Sequence, residues 1–241
     1  MPDLHYEEPS LADLYDLDSG WSIDRDFYLA LAGQASQRIL DLGCGTGLLC
    51  NAYAEQGHTV TGVDPAKAML DVARQKPHGG QIEWVQSTAQ TFRSPKRFDL
   101  IIMTGNAFQV FLDDSDILAT FATMREHLAE NGRIAFESRN PAIDWPSRWN
   151  KETELNTGSG IIRQSRQVKA MVDKRISFET HYAMGDRTLV SSSELLFLVR
   201  PEIEERLKAC GLRAESVYGD WLSQPFDEAT SEEMVFIVSA A

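Results

Sequence analysis

Between residues 38 and about 140, short apolar runs bounded by turn residues alternate with segments of helical periodicity. A chain patterned this way buries its strands most completely as a parallel sheet covered by helices. The expected strands are residues 38–42, 58–64, 82–85, 98–103 and 133–137. The helices between them run from about Gly47 to Gln56, from Pro65 as first residue to a stop at Pro77, and from a Ser115 cap to Asn131-Gly132. The pattern then changes. Residues 161 to 199 read with period 2, placing Ile176, Phe178, Tyr182 and Met184 on one face and Ser177, Glu179 and His181 on the other, with turns near Asp173-Lys174 and Gly185-Asp186. Helical spacing returns at Pro201 with Ile203, Leu207 and Cys210, and strands follow near 213–218 and 234–239. The expected organisation is an N-terminal helical lid segment (1–35), a main α/β domain (36–140 and 196–241) and an inserted antiparallel β lobe (141–195).

Composition narrows the function. The 241 residues are 43% hydrophobic and 24% charged, in the range of soluble globular chains. No apolar run approaches the roughly 20 residues of a membrane-spanning helix. The acidic start, Asp3 to Glu8, is unlike a signal or transit peptide, so a cytoplasmic location is expected. Cys44, Cys50 and Cys210 are too few and too scattered for a disulfide framework or a metal site. The net charge of -13 disfavours DNA and RNA as partners. It is uneven: residues 139 to 175 hold eight Lys or Arg and four acids.

The most informative run is Asp41-Leu42-Gly43-Cys44-Gly45-Thr46-Gly47, a glycine loop between strand and helix where missing Cβ atoms permit a sharp turn and close approach of a ligand. Asp64 ends the next strand, 19 residues after Gly45, where a carboxylate can accept both hydroxyls of a ribose resting on that loop. Leu48 occupies the position where a dinucleotide fingerprint wants glycine, which disfavours NAD. No Lys-Ser/Thr pair follows, which excludes a P-loop.

At these residues the chain resembles the class I S-adenosylmethionine-dependent methyltransferases, over roughly residues 36 to 140. Asp41 to Gly47 looks like their first motif, Val63-Asp64-Pro65 like their second, and Phe98 to Ile102 like their fourth strand. The resemblance implies a Rossmann-like, seven-stranded, mostly parallel sheet with the last strand antiparallel, and S-adenosylmethionine as cofactor. Carried across by position, Gly43, Cys44 and Gly45 would face the methionine and ribose portions, and Asp41 would anchor the amino group. Asp64 would bind the ribose, Pro65 and Met69 would wall the adenine, Thr88 and Ala89 would meet its edge, and Met103 and Thr104 would approach the methionyl end. Thr88 departs from the acidic residue usual there. Met69 equally suits helix core, and Cys44 suits a tight turn.

The implied activity is methyl transfer to a nitrogen or oxygen of a small-molecule acceptor; the alternatives are a protein or RNA methyltransferase and a non-catalytic cofactor-binding module. Thr104-Gly105-Asn106-Ala107-Phe108 lacks the motif of nucleic-acid amino methyltransferases. Acceptor candidates are Tyr15 and Trp21 from the N-terminal segment, Asn106 and Gln109 after strand four, and Arg139 after strand five. No residue stands out as a catalytic base: His181 reads as a surface residue, and His127 as favourable charge at a helix C-terminus. Arg139, with Arg163 or Arg166 on the lobe, could receive a carboxylate or phosphate, or these bases could pair with the protein's own acids or a second subunit. Oligomeric state is not legible.

Overall fold

The computed structural model describes residues 3–158 and 160–241. Four helices open the chain: α1 (Leu4–Glu7), α2 (Pro9–Ala12), α3 (Tyr15–Asp18) and α4 (Ile23–Leu31). There follow β1 (Arg38–Leu42), α5 (Leu48–Glu55), β2 (Thr59–Asp64), α6 (Lys67–Arg74), β3 (Glu83–Gln86), β4 (Phe98–Met103), α7 (Asp114–His127) and β5 (Leu128–Arg139). After a short α8 (Trp145–Trp149) come β6 (Lys151–Thr157), β7 (Gly160–Val172), β8 (Arg175–Met184) and β9 (Arg187–Leu196). The chain closes with α9 (Arg200–Ala209), β10 (Leu212–Tyr218) and β11 (Glu233–Ala240).

Seven strands form one sheet in the order β10-β11-β5-β4-β1-β2-β3. β11 runs antiparallel to both neighbours, and β1 to β5 pair in parallel. Chain order reverses between β1 and β4, so the loops leaving those strands diverge and open a crevice at the carboxyl edge, the usual ligand position in such sheets. The fold is thus the α/β architecture that the pattern and the resemblance imply. Phe108, Phe121, Phe136 and Phe236 pack together in the core on one face of the sheet. Tyr28, Tyr53, Leu70 and Ile102 fill the other.

The inserted lobe is a four-stranded antiparallel sheet, β6-β7-β8-β9. Its hairpin turns fall at Asp173-Lys174, both at positive φ, and at Gly185-Asp186. The lobe starts earlier than period 2 indicates, because β6 is a mostly exposed edge strand with Leu155 as its one buried apolar residue. Other boundaries also move. α6 begins at Lys67, since the Asp64 carboxylate captures the Ala66 amide at 2.8 Å and holds Ala66 extended. Asp113, not Ser115, is the cap residue of α7. That helix stops at His127, because Leu128 turns extended to pair with Phe98, and Asn131-Gly132 fall within a bulged strand.

Candidate active site

The glycine loop and Asp64 build one hydrogen-bonded unit. Gly43 and Cys44 donate their amides to the Val63 carbonyl at 2.8 and 3.0 Å, and Gly45 donates to Asp64 Oδ2 at 2.9 Å. Asp64 is 8% exposed, and burial raises its pKa while the Ala66 and Gly45 amides lower it. Each of its oxygens keeps a free lone pair. Gly47 has φ +70°, and a Cβ there would lie 2.4 Å from the Trp84 ring. That glycine therefore admits the indole beneath the loop. A Cβ on Gly45 would meet only the Tyr15 ring, at 4.0 Å.

Asp41 is buried, with Oδ2 accepting from the Cys50 thiol at 3.3 Å and Oδ1 unpartnered. Burial pushes its pKa up to about 7. The Asn106 side-chain oxygen, across the crevice after β4, is likewise buried without a partner. A carboxylate at Asp64 with free lone pairs, two orphaned oxygens at the crevice and a Cβ-free Gly45 under the Tyr15 ring fit an adenosyl cofactor with a charged amino-acid tail. The amides of Gly43 and Cys44 are already used, so the loop offers a ligand its Cβ-free faces and carbonyls. The Cys44 thiol is pushed up to about 11 by burial, which leaves it inert as a nucleophile.

The remaining candidates divide. Pro65 borders Asp64, and Met69 is fully buried among Ala12, Ala66 and Ala68, with Tyr6 and Tyr15 packed over them. Ala89 is buried, whereas exposed Thr88 spends its hydroxyl on Thr91 at 2.8 Å. The Met103 side chain lies in the core, so what β4 exposes at its end is Thr104. Tyr15 covers the glycine loop. Trp21 is 45% exposed and donates to Asp26 at 2.7 Å.

Asn106, Gln109 and Arg139 converge. The Asn106 amide donates to Glu137 Oε1 at 2.5 Å, and the Tyr28 hydroxyl donates to Oε2 of the same carboxylate. Gln109, fully buried, accepts from Arg139 Nη1 at 3.0 Å and donates to the Leu196 carbonyl at 3.1 Å, tying the crevice to the lobe. Burial pushes Glu137 up to about 7. Glu233, the cross-strand partner of Arg139, is pushed up to about 8 by burial against the opposing pull of Arg139, and its Oε2 has no partner. Glu137 and Glu233 were not singled out in the sequence. A carboxylate ending the apolar run of strand five was the available signal for Glu137.

The N-terminal helices close this space. Leu11 packs against Leu155, Ile162 and Tyr182 of the lobe. Asp16 accepts from Thr46 at 2.5 Å and pairs with Lys76. Tyr6 packs over the Met69 cluster of α6 and lies 6.1 Å from the Tyr15 ring. His127 is structural: Nε2 accepts from the Ser94 amide at 3.0 Å and Nδ1 faces the Thr123 carbonyl at 2.8 Å, so it is no exposed charge.

Comparison with known proteins decides the family. A family model described as a methyltransferase domain matches residues 39–132. The chain is 30% identical over 212 residues to the cypemycin N-terminal methyltransferase of a Streptomyces species, spanning 83% of this chain and 82% of that protein. The chain belongs to the S-adenosylmethionine-dependent methyltransferases. Their structural likeness extends to the SAM-bound amino pentose methyltransferase of Micromonospora echinaspora involved in calicheamicin biosynthesis, with TM-score 0.72 and 22% identity over 92% of this chain and 93% of that one. A ubiquinone biosynthesis O-methyltransferase of Saccharophagus degradans is 30% identical over 58% of this chain. The match spans 57% of that enzyme's own length, and 43% of a Geobacillus methyltransferase that is 35% identical. The cofactor of the family is S-adenosylmethionine, for which the Asp64 cradle is suited. Among the described residues no helix is long and apolar enough to cross a membrane, and no cluster of three potential metal ligands occurs.

Proposed function

We propose that this protein transfers a methyl group from S-adenosylmethionine to the amine nitrogen of a small-molecule acceptor. The observation that carries this reading is the junction of the Asp64 cradle with the buried Glu137–Glu233–Arg139 cluster under one cover of N-terminal helices. When bound, the cofactor supplies an electrophilic methyl group. The chain's task is then alignment, which can contribute much of the rate of a displacement. Asp64 and Gly45 hold the ribose end, Asp41 and Thr104 face the amino-acid end, and Asn106, fixed by Glu137, sets the loop between cofactor and acceptor.

An ammonium must lose a proton before its nitrogen can attack. Glu233 is suited to take it, since its free oxygen is aimed into the cluster and its raised pKa matches a proton exchanged near neutrality. Two of the relatives act, by name, on an N-terminus and on an amino sugar, which favours nitrogen. The ubiquinone O-methyltransferase favours oxygen as the second reading. Incubating the protein with methyl-labelled cofactor and separate pools of small amines, small phenols and alcohols, peptides and RNA, followed by mass spectrometry, tests this. Label is expected on an amine; label confined to a hydroxyl, to a macromolecule, or to nothing overturns it.

A further inference from the structure

The eight basic residues between 139 and 175 follow two patterns. Arg148, Arg163, Lys169, Lys174 and Arg175 each pair with an acid at the surface: Glu232, Glu154, Glu179, Glu202 and Asp113. Lys151 stands exposed. Arg139 and Arg166 are different. Both guanidinium groups lie over Trp149, at 5.1 and 5.8 Å from its ring centre. Trp145 also flanks Arg139, at 5.6 Å, and Phe178 flanks Arg166, at 5.1 Å. Neither forms an ion pair with a carboxylate among the described residues. Among the described residues the Arg166 guanidinium has no hydrogen-bond acceptor, and its Nε is sealed from water. Arg139 spends one N–H on Gln109 and leaves the rest of its fork free.

Two like charges on one buried indole repel each other and have lost hydration. Stacking returns only about 0.5 to 2 kcal/mol per contact. What compensates such a pair is an anion with two or more oxygens, because the planar guanidinium fork matches carboxylate and phosphate bidentately. The neighbourhood agrees. Arg139 is fixed by its hydrogen bond to Gln109, and Arg166 by its stacking over Trp149 and Phe178.

We propose that Arg139 and Arg166, braced on Trp149, form a subsite for an anionic oxygen group of the methyl acceptor, a carboxylate or a phosphate ester. This rests on the methyltransferase reading above and adds a second handle to the acceptor: the amine faces Glu233 and the anion faces the arginine pair. Acceptors lacking the anion bind without that anchor.

The test uses the full-length protein, with and without S-adenosylhomocysteine, titrated with acetate, inorganic phosphate or chloride at constant ionic strength. Tryptophan fluorescence and thermal shift give the anion response; calorimetry gives nucleoside affinity separately. Acetate or phosphate is expected to produce a saturable change that chloride does not, and the tighter of the two names the group. Arg139→Gln and Arg166→Gln should each weaken it about fivefold or more, and Arg166→Lys should weaken it less than Arg166→Gln, since charge is kept and the fork lost. Arg163→Gln should leave it unchanged. A response no greater than that of chloride, or one equal in wild type and all variants, overturns the subsite. Loss of S-adenosylhomocysteine binding in the wild type would instead overturn the cofactor assignment, and the anion titration is read independently of it.

Discussion

The two halves of the crevice differ in how completely the protein satisfies itself. Around Asp64 every polar contact is made locally: the loop amides reach Val63 and Asp64, and Asp64 reaches the amide two residues ahead. Around Arg139 the groups come from β5, β7, β11 and the Ala107–Val110 turn, and several are left open, among them Glu233 Oε2, Arg166 Nε and Asn106 Oδ1. Buried polar atoms without partners are rare in folded proteins. The cradle leaves Asp41 Oδ1 open and otherwise receives its ligand by fit, whereas the Arg139 side holds more unmet hydrogen-bonding capacity that a ligand would complete.

The sharpest way to break this comparison is Asp64→Ala. In the proposed reading it removes the acceptor of two ribose hydrogen bonds, each worth about 1.5 to 3 kcal/mol when charge-assisted, and it leaves the Gly45 and Ala66 amides without their Asp64 partner. Affinity for S-adenosylhomocysteine by calorimetry should fall about 100-fold or more. Unchanged affinity, or a preference for NAD, would refute the cradle.

A smaller effect separates the halves by pH. Asp41 and Glu137, pushed up to about 7, and Glu233, pushed up to about 8, bind protons more tightly folded than unfolded. The native state therefore holds more protons than the unfolded chain from the ordinary carboxylate range up to these values. Stability must fall as pH rises through that window. The melting temperature of the ligand-free protein should drop by several degrees between pH 6 and pH 8.5, at about 2 to 4 °C per kcal/mol for a chain of this size. Glu233→Gln should reduce that drop and leave cofactor affinity within about twofold. A flat wild-type profile would show that these acids are not held protonated.

The least effect is expected at Trp21. Replacing this exposed ring with Ala should change stability by no more than about 0.5 kcal/mol, and cofactor affinity and acceptor KM not at all. A rise in KM would return Trp21 to the site.

The same contrast governs what was legible. The glycine loop and Asp64 interact across 19 residues, within one strand-helix-strand unit whose periodicity is strong, so motif and geometry coincide. The lobe's hairpins were equally open to reading, because Asp173-Lys174 and Gly185-Asp186 separate clean alternations. β6 was not, since the face it turns inward carries Thr153, Leu155 and Thr157, with Leu155 its one apolar residue, and so shows no apolar alternation. The acceptor cluster was only half visible. Gln109 and Arg139 stood at strand ends, but Glu233 lies 94 residues beyond Arg139 and gains meaning only from strand register. Arg166 looked like Arg163 in the sequence; Trp149 separates them. The N-terminal segment reads as sparse in apolar anchors, yet Leu11 and Ala12 are buried because the lobe and α6 come to them.

The reversed direction of β11 has its own consequence. In the parallel strands only the last residues reach the carboxyl edge, so each contributes to the crevice after its whole length has been spent in the core. β11 arrives from the opposite side, and its first residue, Glu233, lands there opposite Arg139 while Met234 to Val238 go on to fill the sheet. The carboxylate's position is thus set by the register of one hydrogen-bonded ladder. A slip of one residue would turn Glu233 to the other face and put Met234 in its place, leaving Arg139 facing a thioether and turning Phe236 away from the Phe136 ring on which it stacks.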